Sequence, residues 1–201
     1  MSNNVSNKIK VNWRGIDLVT AAILAVALGV AFWGFDTLVY PFLGLITAGF
    51  PPVGELVLGI WIIPAVAGAL LVRRPGAAIY MELIAANVEL LLGNTWGVTV
   101  LVSALLQAIG VEIIFLIFRY RRFTFGVAAL GGMLSAILEI CLYEWWSYVP
   151  DYTPLFKAIF LVCGVISGAF VAGGGAFWLI RGLGKTGALN AFAAGREASA
   201  K

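Results

Sequence analysis

Six glutamates, Glu55, Glu82, Glu89, Glu112, Glu139 and Glu144, lie inside or at the edges of long apolar stretches, where Asn87 and Gln107 join them. An ionisable group at membrane depth costs roughly 2.5–3.5 kcal/mol on insertion scales. No Lys or Arg lies within the stretches that hold these acids. Such carboxyl groups must be protonated, wetted, hydrogen-bonded by neighbours or awaiting a cation, and the last option carries the most chemical information. The chain has no histidine, which removes the commonest metal ligand and the commonest general base together. Cys141 and Cys163 sit in mid-stretch and read as small packing residues. Neither a metal site, a disulfide nor a cofactor is expected.

Depth divides the acids into two layers. At a rise of about 1.5 Å per residue, Glu82 stands roughly 8–10 Å above the inner end of its stretch and Glu89, on the same face, roughly 18–20 Å. Gln107 falls near mid-depth and Glu112 near the level of Glu82, because their stretch runs the other way. Glu139 and Glu144 fall in the outer half, and Glu55 opens its stretch from outside. Spacings of i+4 and i+7 put Tyr143 and Trp146 on the face of Glu139. The outer layer, with Trp61 and the loop-side residues Trp33, Tyr40 and Asn94, suits a small flat organic cation, the acids supplying charge and the rings stacking and cation–π attraction. The inner layer of Glu82, Gln107 and Glu112 reads as an internal polar network.

The elements that must position these residues follow from charge and hydropathy. The composition is 62% hydrophobic and 11% charged, with a mean hydropathy of +1.00 and a net charge of +3. Soluble domains hold about 25% charged residues. Twelve of the 13 basic residues fall beside apolar stretches in four groups: Lys8, Lys10 and Arg14; Arg73 and Arg74; Arg119, Arg121 and Arg122; and Arg181, Lys185, Arg196 and Lys201. Only Lys157 breaks the pattern. The alternation predicts an all-α polytopic membrane protein with both termini and every basic loop in the cytoplasm. Its six spans read as residues 16–35, 52–72, 77–92, 96–118, 125–146 and 154–180, the third of them short. The whole chain is one membrane domain: residues 1–15 precede the bundle of 16–180, and 181–201 form a cytoplasmic tail. The first stretch reads as a retained span and not as a cleaved signal peptide. The outer loop 36–51 is too apolar for an ordinary solvated loop and is expected to fold over the bundle as a lid. Ala21, Ala25 and Gly29, at four-residue spacing, mark a close helix contact, either within the bundle or with a partner helix.

Three segments are shared with a known group. The run from Arg74 to Asn94 (RPGAAIYMELIAANVELLLGN), the segment Gln107 to Glu112 (QAIGVE) and the segment Thr186 to Phe192 (TGALNAF), together with Gly59-Ile60-Trp61, resemble the YkoE family of substrate-specific S components of energy-coupling factor (ECF) vitamin transporters. The resemblance covers nearly the whole chain. It implies a six-helix subunit of a prokaryotic plasma membrane that binds thiamine or its hydroxymethylpyrimidine precursor. A transmembrane coupling protein and two ATPase subunits on other chains would work with it, and the ladder Ala21, Ala25 and Gly29 would dock the coupling protein. Glu89 would then hydrogen-bond the aminopyrimidine, Glu139 or Glu144 would face the thiazolium, and Trp61, Trp146 and Tyr143 would wall the pocket. Trp33 and Tyr40 would close it, with Glu55 and Asn94 at the rim.

The chain has no GxxxxGK[ST] phosphate loop, so energy from ATP must come from another subunit. Two other classes of function fit less of the sequence. One is a stand-alone proton-coupled carrier of a small organic cation, in which the carboxylates titrate during transport. The other is an intramembrane enzyme, which has only a di-carboxylate centre such as Glu82 with Glu112 to work with. A non-enzymatic transport subunit is expected.

Overall fold

A computed structural model describes residues 12–199. Lys8, Lys10 and Lys201, which contribute to the charge pattern, lie outside the described residues. Ten α-helices follow one another: α1 (Gly15–Leu38), α2 (Tyr40–Thr47), α3 (Gly59–Val72), α4 (Ala77–Leu92), α5 (Val100–Ile117), α6 (Phe125–Glu139), α7 (Trp145–Ser147), α8 (Pro154–Ser167), α9 (Gly175–Lys185) and α10 (Ala193–Ser199). No strand occurs among the described residues. Among the described residues five helical stretches are long and apolar enough to cross a membrane: Gly15–Leu38, Pro51–Val72, Gly97–Ile117, Phe125–Ser147 and Pro154–Lys185. The third expected span is α4, a helix of 16 residues, which reaches about 24 Å at 1.5 Å per residue.

Local chemistry sets the ends. Asp17, three residues into α1, accepts a hydrogen bond from the Arg14 backbone at 2.9 Å, closing the helix start. Thr124 and Thr153 cap α6 and α8 through their hydroxyls, and Pro154 occupies the first turn of α8, where its missing N–H costs nothing. The turn between α3 and α4 places Arg73 and Gly76 in the left-handed region, at φ 59° and 86°. Gly76 takes that conformation without a Cβ penalty.

At one end of the bundle four segments meet. The Asp17 carboxylate is fully buried and is held by Arg14 at 2.6 Å and Arg74 at 3.4 Å. Arg73 grips Glu197 with two bonds of 2.6 Å and lies 4.4 Å over the Phe123 ring. Residues 186–199 fold back onto this end, with Leu189 and Phe192 buried and the Ala191 carbonyl accepting from Arg14. Arg14, Arg73 and Arg74, the α5–α6 turn at Phe123 and residues 186–199 therefore share one end of the bundle. Ion pairing and cation–π contact hold them there.

Small residues let the helices approach. Gly132 of α6 and Gly168 lie against each other's backbone, and Gly110 of α5 lies against Ser135. The α1 ladder is used in the same way. Ala21 and Ala25 have no exposed surface, and Gly29 faces the Ala85 carbonyl of α4. This corrects the expectation that the ladder faces a partner protein: its small side chains are consumed in packing α1 on α4. The opposite side of α1, with Val19 and Ile23 exposed by 59% and 66%, points outward. Ala25→Trp is accordingly expected to lower the yield and melting temperature of the isolated protein, since overpacking a filled contact costs about 1–3 kcal/mol or more. Thermal melting of the detergent-solubilised chain measures it; an unchanged melting temperature would return this face to the surface.

Candidate functional site

Two breaks in helical regularity build the cavity. In α3, Pro64 lacks the N–H of a regular turn, and the turn opens around it. The adjacent Ala65 N–H donates to Glu82 Oε2 of α4 at 2.7 Å, so a floor carboxylate is spent on satisfying a buried backbone donor. In the stretch that begins with α6, residues Ile140–Glu144 form a π-helical turn. Its i→i+5 pattern brings Glu144 round to the side of Glu139, whereas a regular helix would bring Tyr143 and Trp146.

The cavity between these breaks has a volume of about 590 Å³, within the range of small-molecule sites. Glu55, Glu82, Glu89, Glu139 and Glu144 all line it: Glu82 and Glu89 from α4, Glu139 and Glu144 from the stretch that begins with α6, and Glu55 from the turn before α3. Glu55 lies against Glu144 and near Glu139. Gln107 Nε2 donates to Glu139 Oε2 at 2.6 Å, and Gln107 is fixed in turn by Ser135, whose hydroxyl donates to its backbone carbonyl at 2.5 Å. Glu55 is positioned from behind by Ser167, whose hydroxyl donates to the Leu56 carbonyl at 2.6 Å and accepts from the Gly59 N–H at 2.8 Å. Buried oxygens of Glu55, Glu89, Glu144 and Ser103 have no hydrogen-bond partner. Among the described residues the ion pairs join Arg14 and Arg74 to Asp17 and Arg73 to Glu197; none reaches a cavity carboxylate. The cavity is thus a cluster of acceptors with negative character and no internal cation.

Aromatic rings form its outer wall. Trp61 meets Tyr40 at 5.6 Å and Trp96 at 5.7 Å, and Tyr40 meets Trp96 at 5.4 Å, all edge-on. Tyr40 belongs to α2, which also presents Leu43, Gly44 and Thr47 to the cavity. The other side of α2 is open, with Leu45 exposed by 76% and Ile46 by 78%. The expected lid segment is therefore a short helix across the mouth, held by an aromatic triad. Outside the apolar stretches, the Tyr40 hydroxyl is pushed up to about 12, first by burial and then by the negative groups around it, chiefly Glu55 and Glu144.

Glu55, Glu89, Glu139, Glu144, Trp61 and Tyr40 line one space, and Glu82 and Gln107 join them. Tyr143, Trp146, Trp33 and Asn94 are not among the lining residues. The π turn corrects the i+4 and i+7 placement: Tyr143 stands behind Tyr148 with ring centres 5.3 Å apart, and Trp146 points outward, 68% exposed beneath the Lys157 ammonium at 5.2 Å. Trp33 lies next to the lining residue Phe32, and its carbonyl accepts from Thr37. Asn94 accepts from the Gly97 N–H at 2.5 Å, shapes the α4–α5 turn and lies beside Glu89, just behind the lining. Glu112 does not join Glu82 either; its carboxylate accepts from the Gly76 N–H and fixes the α3–α4 turn.

Sequence reasoning left out Phe32, Trp96, Ser103, Tyr148, Tyr152 and Phe160, all of which line the cavity. Trp96, Tyr148 and Tyr152 are visible in the sequence as outer-boundary aromatics, the same signal that interfacial anchoring gives. Asp36 was also left out, although it continues the buried α1 stripe of Ala21, Ala25, Gly29 and Phe32. It lies against Glu89 and Trp61, just behind the lining.

Comparison with known proteins gives three findings. The family model described as "ABC-type cobalt transport system, permease component" matches residues 16–138. The chain is similar to the putative HMP/thiamine permease protein YkoE of Bacillus subtilis (strain 168), with 34% identity over 192 residues covering 94% of each chain. A crystal structure of an S-component of an ECF transporter superposes with a TM-score of 0.84 at 34% identity, covering 92% of this chain and 93% of the other.

Proposed function

The chain belongs to the permease-component family of ABC-type cobalt transport systems and, within it, to the YkoE-like S components of ECF transporters, and on that premise we propose that it captures thiamine or its hydroxymethylpyrimidine precursor. The observation that carries this reading is the cavity itself: five carboxylates without an internal cation, beside Trp61, Tyr40 and Trp96. Thiamine joins a flat aminopyrimidine to a permanently charged thiazolium. Glu89 is placed to accept hydrogen bonds from the first, and Glu144 with Glu55 and Glu139 to face the second, while the rings supply stacking and cation–π attraction. The family description mentions cobalt. This chain contains no histidine, and among the described residues no group of three or more His, Cys, Asp or Glu is arranged to hold a metal ion. The chemistry of the cavity favours an organic cation.

The membrane setting extends the reading. With α4 as a sixth crossing, both termini lie on the side of the basic loops, which the positive-inside rule assigns to the cytoplasm. The mouth under α2 then opens outward, and the vitamin enters from outside a prokaryotic plasma membrane. Delivery inward needs a coupling protein and two ATPases, because this chain has no phosphate loop of its own. No step of this function requires a bond to be made or broken, so the chain is a binding and transport subunit and not an enzyme.

Titration of the detergent-solubilised protein with thiamine tests the proposal, using the native tryptophans as reporters. Saturable quenching is expected, because Trp61 and Trp96 line the cavity, and it is expected to shrink in Trp61→Phe. A flat titration with both thiamine and hydroxymethylpyrimidine, by fluorescence and by calorimetry, would refute the assignment.

A further inference from the structure

Two acids of the cavity meet each other. The π turn at Ile140–Glu144 carries Glu144 to the cavity side of its stretch. From the facing segment, Glu55 sits against Gly164, where a Cβ would crowd its stem, and the Ser167 bonds at Leu56 and Gly59 anchor it. Glu55 and Glu144 are thereby held in side-chain contact. Glu144 is 5% exposed, and among the described residues no donor reaches its buried Oε2 or the buried Oε1 of Glu55. The titratable groups around the pair are Glu139 on the stretch of Glu144, Tyr40 of α2, Tyr148 and Tyr152 between α7 and α8, and Cys163 of α8. Glu82 and Glu89 of α4 line the same hollow. Lys157 of α8 gives its ammonium to the Trp145 carbonyl at 3.1 Å and to the Trp146 ring.

Two ionised carboxylates in contact repel, and each leaves the other's oxygens without a donor. One proton removes both faults. The protonated acid donates its O–H to its neighbour, and the orphaned oxygens become the two ends of a hydrogen bond. The pair then carries one negative charge. A thiazolium ring facing it, as in the vitamin reading on which this inference rests, is a different kind of partner. Its charge is permanent and it has no ring N–H to donate, so it compensates the acids by charge alone. Proton and ring therefore compete for the same oxygens. We propose that Glu55 and Glu144 form a proton-exchange site, which holds one proton between them when the cavity is empty and releases it when the cation enters. The O–H bond of the protonated acid breaks, its electron pair stays on the carboxylate oxygen, and the proton passes to water at the mouth under α2. Both acids are then ionised against the ring, and the net charge of the cavity is the same before and after capture. Linkage is reciprocal, so protons weaken capture of the cation and leave capture of an uncharged ring alone.

Calorimetric titration of the full detergent-solubilised chain near neutral pH, in phosphate and in Tris, counts the protons, because the two buffers differ in heat of ionisation. About one proton released per thiamine is expected, and none per hydroxymethylpyrimidine, which carries no permanent charge. From neutral to mildly alkaline pH, thiamine affinity is expected to rise severalfold per pH unit, up to the roughly tenfold limit of one linked proton. Affinity for the pyrimidine is expected to stay within about twofold over the same range. Glu55→Gln puts an amide N–H where the proton sat, so its release is expected to fall to near zero and its thiamine affinity to lose the pH dependence. Glu144→Gln tests the site from the other partner with the same expectation, and Glu112→Gln, outside the cavity, is expected to keep both properties. Thiamine binding that releases no proton, at an affinity flat in pH, overturns the exchange and leaves the vitamin reading standing. Full release in both Glu55→Gln and Glu144→Gln overturns the assignment to this pair. A flat titration with both thiamine and the pyrimidine overturns the vitamin reading and the exchange together.

Discussion

Glu89→Gln is expected to weaken thiamine binding on the order of 10- to 100-fold while leaving the fold intact. The exchange keeps the shape of the side chain and removes its charge and one acceptor oxygen. Hydrogen bonds to charged groups contribute about 1.5–3 kcal/mol, and each 1.4 kcal/mol is tenfold in affinity. Glu89 is the acid for which this loss should be largest. It is 1% exposed, it comes from the middle of the outer half of a rigid helix, and one of its oxygens has no partner within the protein. Glu82 is already bonded to the Ala65 backbone and Glu139 to Gln107, so less of their capacity is left for a guest. Isothermal titration of the solubilised variant measures the effect. Glu112→Gln is the matched control: the same exchange outside the cavity should leave affinity within about twofold. Equal affinities for the Glu89 variant and the unchanged protein would place the aminopyrimidine elsewhere.

Gly132→Leu is expected to abolish folded, membrane-extractable protein. A Cβ at Gly132 would meet the Gly168 backbone carbonyl, its carbon 2.7 Å away, and a Cβ at Gly168 would meet the Gly132 carbonyl in the same way. Backbone cannot rotate aside as a side chain can, so the two helices would have to separate along their length. That separation would carry Glu139 and Glu144, further along the same helical stretch, away from Glu55, which lies against Gly164 on the other side. Even Gly132→Ala should reduce thermal stability clearly. Gly126→Ala in the same helix meets nothing within 4 Å and should be neutral or stabilising by about 0.5–1 kcal/mol, the usual advantage of Ala over Gly within a helix. Yield and melting temperature of the three purified variants check the contrast. A stable Gly132→Leu protein would mean that the two segments are not in backbone contact.

The helix positions were legible because each apolar stretch is bounded by residues with a strong local preference. Pro75-Gly76, Gly93, Thr124 and Thr153-Pro154 stand where the helices start or stop. The list of buried acids was legible for a different reason, since a glutamate in an apolar run is conspicuous without any knowledge of its neighbours. Helix rotation was not. A span surrounded by lipid is apolar on both its inward and outward sides, so its sequence lacks the polar face that fixes orientation in a soluble helix. Where Glu82 and Glu89 recur at seven residues on a regular helix, extrapolation puts both on one face, and that face lines the cavity, so Glu82 belongs to the cavity and not to a separate inner network. Where the stretch after α6 widens into a π turn, the same extrapolation puts Tyr143 and Trp146 in the place of Glu144, Ser147 and Tyr148.

By itself the sequence determined a helical membrane protein, the segments that form its helices, a set of unpaired acids and, through the motifs of α4 and its neighbours, the family. These follow from local composition and from the cost of placing charge in hydrocarbon, which act on each stretch separately. The tertiary structure alone decided which acids meet. It gathered Glu55, Glu82, Glu89, Glu139 and Glu144 around one hollow, set Glu112 apart on the Gly76 turn, closed the Ala21, Ala25 and Gly29 ladder on α4 and turned Asn87 outward. Those choices depend on how closely two backbones can approach at a glycine and on where a helix departs from its regular repeat, and both are properties of pairs of helices that no single stretch contains.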